Sequence, residues 1–350
     1  MSQKDPLPSP TPLIAEIESC NREVFQEGSW QTSRLSQKGL SRNEGFRMPK
    51  DMHLGVPTLR VRNLGDALDF YEAGFGLRRK RSYRDPSEGL EMVDLGFQTK
   101  PELILTIKHD PQAVVPQADF AGLYHYAVLV PSRKSLASTF LGLGNFGVSY
   151  DGYADHYVSE ALYLHDSESN GIEVYADRSR DTWSSFFNSG AGDRMSEVRR
   201  LRALNKPLDF NSLLRELSKQ ERSNPQRFGE GARIGHMHLR VTNLERSVRF
   251  YHETLGFDIV SFYPELGASF LSVGGYHHHI GLNVWNSSGG TPHYPTDAGL
   301  DSFSVFVPDG RTLESLESNI PSSATPPLRS GNSLLVTDPD GIMIEFRTND

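Results

Sequence analysis

This 350-residue sequence has only one cysteine, no long apolar run and no excess of basic residues. A single cysteine, Cys20, excludes a disulfide within one chain and is typical of a reducing compartment, so we expect a cytoplasmic protein. No stretch approaches the roughly 18 uninterrupted apolar residues of a membrane span, and the first residues lack the pattern of an export signal. A formal charge of −8 without a Lys/Arg run argues against nucleic acid and anionic membranes as partners. We therefore expect a small-molecule partner.

Two polar segments divide the chain. Residues 1–48 are rich in Gln, Ser, Glu and Arg and predict a flexible N-terminal arm, with at most a short helix over 13–25. Residues 179–232 are polar again and predict an interdomain linker with a short helix over 211–220. The segments 49–178 and 233–350 remain as two ordered domains, in line with the chain length.

Two sequence patterns each occur once in both ordered segments. TLRVRNLGDALDFYEAGFGL at 58–77 aligns without a gap with HLRVTNLERSVRFYHETLGF at 238–257, and both predict a strand, a turn and an amphipathic helix. YHYAVLVPSRKSL at 124–136 aligns with DSFSVFVPDGRTL at 301–313, and an Ile-Glu strand follows each copy. The chain therefore contains four modules, each with one helix and about four strands. This pattern excludes a doubly wound parallel sheet and predicts an α+β fold.

In these repeats the sequence resembles the vicinal oxygen chelate (glyoxalase/bleomycin resistance/extradiol dioxygenase) superfamily, and within it the catechol-2,3-dioxygenase-like branch. The resemblance covers roughly residues 53–178 and 233–348. It implies four βαβββ modules that form two open-barrel domains around a divalent metal. The simplest pairing places modules 1 and 2 in the first domain (49–178) and modules 3 and 4 in the second (233–350). A barrel shared by modules 2 and 3 is the alternative.

The family's metal-ligand positions differ between the modules of this chain. At the start of the first strand, module 3 has His236 and module 2 has His125, whereas module 1 has Val56 and module 4 has Ser302. Valine cannot bind a metal, and serine is a poor ligand for iron or zinc. The family's third ligand is a glutamate on a last strand, which is Glu173 in module 2. The resemblance thus implies His125, His236 and Glu173 as metal ligands, and this set requires modules 2 and 3 to meet.

The hairpin that leads to Glu173 carries the rest of the family motif. His156, Tyr163 and Asp166 precede the glutamate in the family's order. The turn departs from the family pattern, because DSES at 166–169 replaces the usual Asp-Pro-x-Gly. By resemblance, His156 and Tyr163 would hydrogen-bond the reacting oxygens and stabilise charge as it develops.

Module 4 keeps the turn sequence DPDG but lacks the polar residues before it. Aligned on Glu345, the glutamate that matches Glu173, module 4 places Leu328 opposite His156 and Leu335 opposite Tyr163. We therefore expect Glu345 to face solvent or to be vestigial, and module 2 to hold the complete set.

Three adjacent histidines stand in GGYHHHIGLNVW at 274–285 of module 3. Neutral imidazoles in an apolar strand need hydrogen-bond partners, so this run is unusual. In the family a histidine on this strand is the acid/base catalyst. When the run is aligned by the strand that follows it, His278 corresponds to the family's acid/base histidine, with His277 and His279 as the other options.

Two histidines and one carboxylate on one face of a metal are typical of non-haem Fe(II) oxygenases. The resemblance therefore implies an extradiol dioxygenase, an oxidoreductase of aromatic catabolism that opens a small aromatic diol with O2. Fe(II) is the expected metal, with Mn(II) as an option. One alternative is a glyoxalase-like lyase or isomerase with Zn or Ni, which would need a further ligand where Gly281 stands. Another is a non-catalytic protein that binds a small molecule. The sequence leaves open whether the chain forms a homo-oligomer.

Overall fold

The computed structural model describes residues 45–98, 102–187, 206–228 and 231–348, and it has the predicted α+β fold of βαβββ modules. Module 1 consists of β1 (His53–Val61), α1 (Leu64–Leu68) with a π-helical turn (Asp69–Gly74), β2 (Arg78–Arg84), β3 (Glu91–Gly96) and β4 (Leu103–His109). Module 2 consists of β5 (Gly122–Leu129), α2 (Arg133–Asn145), β6 (Gly152–Asp155), β7 (Ser159–His165) and β8 (Gly171–Asp177).

The segment between modules 2 and 3 contains α3 (Arg180–Phe187), α4 (Phe210–Leu214) and α5 (Lys219–Ser223). Module 3 consists of β9 (Arg233–Arg240), α6 (Leu244–Arg249) with a π-helical turn (Phe250–Thr254), β10 (Asp258–Tyr263), a 3₁₀ turn (Pro264–Leu266), β11 (Ala268–Ser272) and β12 (Ile280–Asn283). Module 4 consists of β13 (Gly299–Val307), α7 (Gly310–Asn319), β14 (Leu328–Ser330), β15 (Ser333–Thr337) and β16 (Met343–Thr348). None of the described helices is long and apolar enough to cross a membrane.

The helix of each module begins at a residue whose side chain caps it. The capping side chains accept the backbone N–H of the residue three positions on, which satisfies one of the free donors of the first turn. They belong to Asn63, Ser132, Asn243 and Asp309. The repeat seen in the sequence is therefore a repeat of the strand-to-helix turn as well.

The modules pair as 2 with 3 and 1 with 4. One eight-stranded sheet has the order β10-β11-β12-β9-β5-β8-β7-β6, and the other has the order β14-β15-β16-β13-β1-β4-β3-β2. The simplest pairing, 1 with 2 and 3 with 4, is therefore wrong for the sheets. Each first strand pairs with the last strand of its own module and, antiparallel, with the first strand of the other module in the same sheet. The boundaries 49–178 and 233–350 stay a prediction.

Hydrogen bonds still connect each module to its neighbour in sequence. The Tyr71 hydroxyl of module 1 donates to Asp166 in the turn of module 2 at 2.8 Å, and Tyr251 of module 3 donates to Asp338 of module 4 at 3.1 Å. All four side chains are buried. The two sheets also contact each other through β1 with β9 and through β13 with β5.

The polar segments are more structured than the sequence predicted where the structure describes them. The arm up to residue 44, with the helix expected over 13–25, lies outside the described residues. At its end Met48 is buried, and its N–H donates to Gly256 O at 3.0 Å. The single linker helix expected over 211–220 is instead the pair α4 and α5, because the Ser218 side chain caps a new helix in a capping box with Glu221.

Alternate residues of the central strands face opposite sides of each sheet. Met237 and Leu239 on β9, and Val241 directly after it, belong to the main hydrophobic core. His236 and His238 therefore face the other, concave side. A separate small apolar cluster lines that side, formed by Ala127, Leu129, Ala161 and Tyr175 with Tyr163 packed against it.

Candidate metal centre

Three predicted ligands converge on the concave side of the sheet formed by modules 2 and 3. His125 stands on β5, Glu173 on β8 and His236 on β9, which are adjacent strands in the order β9-β5-β8. Ala127 is the register partner of both His236 and Glu173, so its small side chain leaves the space between them open. Among the described residues this is the one group of His, Cys, Asp and Glu side chains close enough to share a metal ion.

The distances in this cluster fit an octahedral face. His125 Nε2 and His236 Nε2 lie 2.9 and 3.0 Å from the same Glu173 Oε2, and 3.3 Å from each other. Bonds of about 2.1 Å at right angles separate neighbouring ligand atoms by about 3.0 Å, whereas tetrahedral angles separate them by about 3.4 Å. Two of the three distances match the right-angled arrangement, so the three donors fit a facial site with open positions opposite.

The electrostatics of the cluster also favour a cation. All three side chains are buried, and Glu173 is only 3% exposed. Burial alone would raise the pKa of Glu173, but the adjacent His236 and His125 hold it well below its usual value. Burial lowers the pKa of His236 to about 4, so this imidazole is neutral at pH 7. A buried carboxylate beside a neutral imidazole carries a charge that a bound divalent ion would neutralise.

The two predicted oxygen-binding residues form a pair beside the cluster. His156 Nε2 and the Tyr163 hydroxyl share a hydrogen bond of 2.6 Å, and the Tyr163 ring lies 5.7 Å from the His125 ring. Tyr163 is also the register partner of Glu173. Burial lowers the pKa of His156 and raises that of Tyr163 well above its usual value. Both groups are therefore neutral hydrogen-bonding groups at neutral pH.

The alignment of Leu328 with His156 is wrong. Leu328 is the register partner of Leu335, whereas the partner of Tyr163 is Gly152. His156 belongs to the longer loop between β6 and β7, in which Tyr157 adopts a left-handed conformation (φ 68°). The hairpin of module 4 is shorter there, so it has no residue equivalent to His156.

The three adjacent histidines lie in the loop before β12 and not on the strand. His278 is the member nearest the cluster, because its ring centroid lies 4.1 Å from that of His236. His277 Nδ1 lies 2.8 Å from His278 Nδ1, and its Nε2 lies 2.8 Å from Asp177 Oδ1. His279 Nδ1 contacts the Ser272 hydroxyl at 2.8 Å instead. Sequence reasoning missed Asp177, which follows Glu173 by four residues in the same strand.

The turn before Glu173 keeps its hydrogen bonds without the family's proline and glycine. Asp166 Oδ1 accepts the N–H groups of Glu168 and Asn170, as Asp338 Oδ1 accepts those of Asp340 and Ile342 in the DPDG turn. The departure at 166–169 therefore leaves the position of Glu173 unchanged. The different turn sequence places Ser169 in a left-handed conformation (φ 65°) at the position where module 4 has Gly341.

Further residues line the concave side next to the cluster, and sequence reasoning did not assign them to the site. The His238 ring lies 4.9 Å from the His125 ring, and Asn283 Nδ2 donates to His238 Nε2 at 3.1 Å. Tyr124 and Trp285 have rings 5.0 and 5.7 Å from that of His238. The alternation of His236, His238 and Arg240 along β9 was the available signal. A side chain at Gly281 would collide with the His238 ring, since an added Cβ would approach it to 2.9 Å.

Comparisons with known proteins agree with this geometry. The family model described as Glyoxalase/Bleomycin resistance protein/Dioxygenase superfamily matches residues 53–175 and 233–346. A catechol-2,3-dioxygenase of Bacillus subtilis (strain 168) is 35% identical over 301 residues, which are 85% of this chain and 98% of that protein. A crystal structure of a putative dioxygenase from Bacillus subtilis subsp. subtilis str. 168 superposes with a TM-score of 0.56 at 16% identity, over 87% of this chain and 86% of that one. The chain therefore belongs to the Glyoxalase/Bleomycin resistance protein/Dioxygenase superfamily.

Proposed function

We propose that this chain is an extradiol dioxygenase that opens the ring of a catechol with O2 at a non-haem iron centre. The observation that carries the proposal is the convergence of His125, His236 and Glu173 within 3.3 Å of one another on a buried concave surface. The 35% identity to a catechol-2,3-dioxygenase supports the same reaction. Fe(II), when bound to these three residues, would supply open positions for catechol and O2 and a path for electrons from the catechol to O2.

Hydrogen bonds support a role for His278 as proton acceptor. A carboxylate only accepts, so His277 donates its Nε2–H to Asp177. In the tautomer of His277 that carries its proton on Nε2, Nδ1 is bare and accepts the Nδ1–H of His278. His278 is left with a free Nε2 lone pair, and burial lowers its pKa well below the usual value, so the lone pair is available at neutral pH. His278 can take a proton from a catechol hydroxyl and return it later.

His156 and Tyr163 would bind the reacting oxygens from the other side of the cluster. Their mutual hydrogen bond fixes the orientation of both groups before substrate arrives, which lowers the reorganisation needed during the reaction. The apolar side chains of Ala127, Leu129 and Ala161 keep water away from this part of the surface. Charge stabilisation and proton transfer would thus be divided between two hydrogen-bonded pairs, His156 with Tyr163 and His277 with His278.

The experiment is metal analysis followed by oxygen uptake. Protein purified without oxygen and loaded with Fe(II) should bind one ion per chain, consume one O2 per catechol and form a yellow ring-opened product. His125→Ala should lose the ion and the uptake, whereas Ser302→Ala, at the matching position of module 4, should keep both. Zinc or nickel without oxygen uptake would favour the lyase instead. A wild-type protein that binds no metal would refute the proposal and leave a binding protein.

A further inference from the structure

Two equivalent arginines of the repeat have different surroundings. Arg60 in module 1 and Arg240 in module 3 both stand in the sequence Leu-Arg-Val. Arg60 is 2% exposed and is neutralised by three carboxylates: Nη1 binds Asp110 at 2.7 Å, and Nη2 binds Glu88 at 2.7 Å and Asp301 at 2.9 Å. This arginine is part of the packed interior of its sheet.

Arg240 is partly buried but has no carboxylate partner in the described part of the chain. Its guanidinium carbon lies 5.4 Å from the Phe120 ring and 5.5 Å from the Tyr124 ring. Tyr124 occupies the position that Asp301 holds in the other sheet, and Asn283 occupies that of Lys108. Burial lowers the pKa of Arg240, yet a guanidinium stays charged at any physiological pH. Arg240 therefore carries a positive charge without an ion-pair partner among the described residues, and an anionic ligand would stabilise it.

Arg240 also lies at a suitable distance from the candidate metal centre. His236, His238 and Arg240 alternate along β9 and face the same side. At about 3.3 Å per residue, the Cα atoms of His236 and Arg240 are about 13 Å apart, close to the length of a metal-bound catechol with a side chain of a few atoms. Tyr124 and Trp285, with rings 5.3 Å apart and both partly exposed, lie between the two ends of this path. Aromatic rings there would contact a catechol ring or its apolar linker.

We infer that Arg240 binds a negatively charged substituent of the substrate, so that the substrate is a catechol with a carboxylate on a short side chain. The inference rests on the proposed dioxygenase function and narrows its substrate class. A guanidinium binds a carboxylate through two parallel hydrogen bonds, which a neutral ester cannot accept with the same strength. Arg240 would hold the far end of the substrate while the three ligand residues hold its two ring oxygens.

The test compares 3,4-dihydroxyphenylacetate with its methyl ester, which differ mainly in charge. The measured quantity is the ratio of kcat/KM for the acid to kcat/KM for the ester. This ratio does not depend on the fraction of folded enzyme when both substrates are used on one preparation. Arg240→Met should lower the ratio about 10- to 100-fold, and Arg240→Lys should restore part of it. Arg60→Met is the matched control, and we expect it to leave the ratio unchanged.

A binding measurement separates this inference from the proposed function. Calorimetry under argon on metal-free protein should show tighter binding of the acid than of the ester, and Arg240→Met should abolish that difference. If no catechol is turned over but this difference is found, the dioxygenase proposal fails and the role of Arg240 stands. If catechols are turned over and Arg240→Met leaves both the kinetic ratio and the binding difference unchanged, the inference is overturned.

Discussion

The two sheets of this protein share one plan but only one of them holds a candidate metal centre. Ala127 faces Glu173 in the first sheet, as Ser304 faces Glu345 in the second, and His238 pairs with His125 as Thr58 pairs with Ser302. Even the β-bulge between the central strands recurs at the matching position. The backbone that positions the ligands is therefore present twice, and side chains alone make the difference.

The concave side of the second sheet is filled where the first one is open. Arg60, Lys108 and Asp301 are all buried there, and the two cations bind the same Asp301 Oδ1 at 2.9 and 3.0 Å. Glu345, the counterpart of Glu173, is instead 35% exposed on its side chain and lies 3.7 Å from Arg347. A sheet of this shape thus stays folded either around a fixed network of opposite charges or around groups that await a ligand. The two sheets therefore differ in whether their buried charges have partners inside the protein.

The largest effect expected from this comparison is a second metal site. Val56→His with Ser302→His would place two imidazoles at positions equivalent to His236 and His125, near Glu345. Because the register of both sheets is the same, we expect the double variant to bind two Co²⁺ ions per chain in a spectroscopic titration. The second ion should have a Kd below about 10 µM, which corresponds to about −7 kcal/mol.

The single variant Val56→His is the control for this graft, since one imidazole and one carboxylate should not hold an ion at that concentration. A double variant that folds normally and still binds one ion per chain would break the comparison. The backbone of the second sheet would then lack the ligand geometry despite its matching register.

The next largest effect concerns the two arginines. Arg60→Met should lower the free energy of unfolding by about 3–5 kcal/mol, because it leaves Asp301 and its neighbours buried with one cation fewer. Arg240→Met breaks no ion pair in the described structure, so we expect a change within about 1 kcal/mol. Urea unfolding of the metal-free proteins measures both values. Equal losses in the two variants would mean that Arg240 has a structural partner after all.

A smaller effect separates the hairpin turn before Glu173 from the hairpin turn before Glu345. Burial, together with the charge of Asp340, raises the pKa of Asp338 to about 7, despite hydrogen bonds from Ile342 N–H and Tyr251. Between about pH 4 and pH 7 the folded protein therefore holds a proton that the unfolded chain has lost. The free energy of unfolding should fall as pH rises through this range, by at most about 1.4 kcal/mol per pH unit.

Asp338→Asn should remove that contribution, so the stability difference between wild type and variant should shrink from pH 5 to pH 7 and stay constant above pH 8. Chemical unfolding at each pH checks this. Asp166, the equivalent residue of module 2, also has a raised pKa from burial, but its turn has Glu168 where the other has Asp340. Asp166→Asn should therefore give a shallower slope, and a steeper one would contradict the role assigned to Asp340.

Local sequence predicted the modules and the ligand candidates but not how the modules meet. The strand and helix pattern of each repeat follows from the spacing of its own apolar residues, and comparison of modules singled out His125, His236 and Glu173. Either module pairing satisfies that local pattern equally well, because the pairing is decided by edges of β5 and β9 that are far apart in sequence. The same limit applies to Arg60 and Arg240, whose identical neighbours in sequence say nothing about distant carboxylates.

The run of three histidines shows a second limit of prediction from local sequence. Registering the run on β12 treated it as part of a strand, whereas the structure places it in the preceding loop, where side-chain directions do not alternate. The contacts that distinguish the three come from Asp177, Ser272 and the ring of His236. Only a folded structure brings those groups together, so the assignment of His278 still depends on the proposed function.

The smallest effect expected is at the tip of the hairpin turn of module 2. Ser169 adopts a left-handed conformation (φ 65°) at the position where module 4 has Gly341 (φ 89°). A residue with a side chain is strained there by about 1–2 kcal/mol, part of which glycine gives back through its greater freedom in the unfolded chain. Ser169→Gly should therefore raise the free energy of unfolding by about 0.5 kcal/mol, as measured by urea unfolding. Ser167→Gly, two residues earlier and without a positive φ, should lower it slightly, and a stabilisation by both variants would show that turn strain is not the cause.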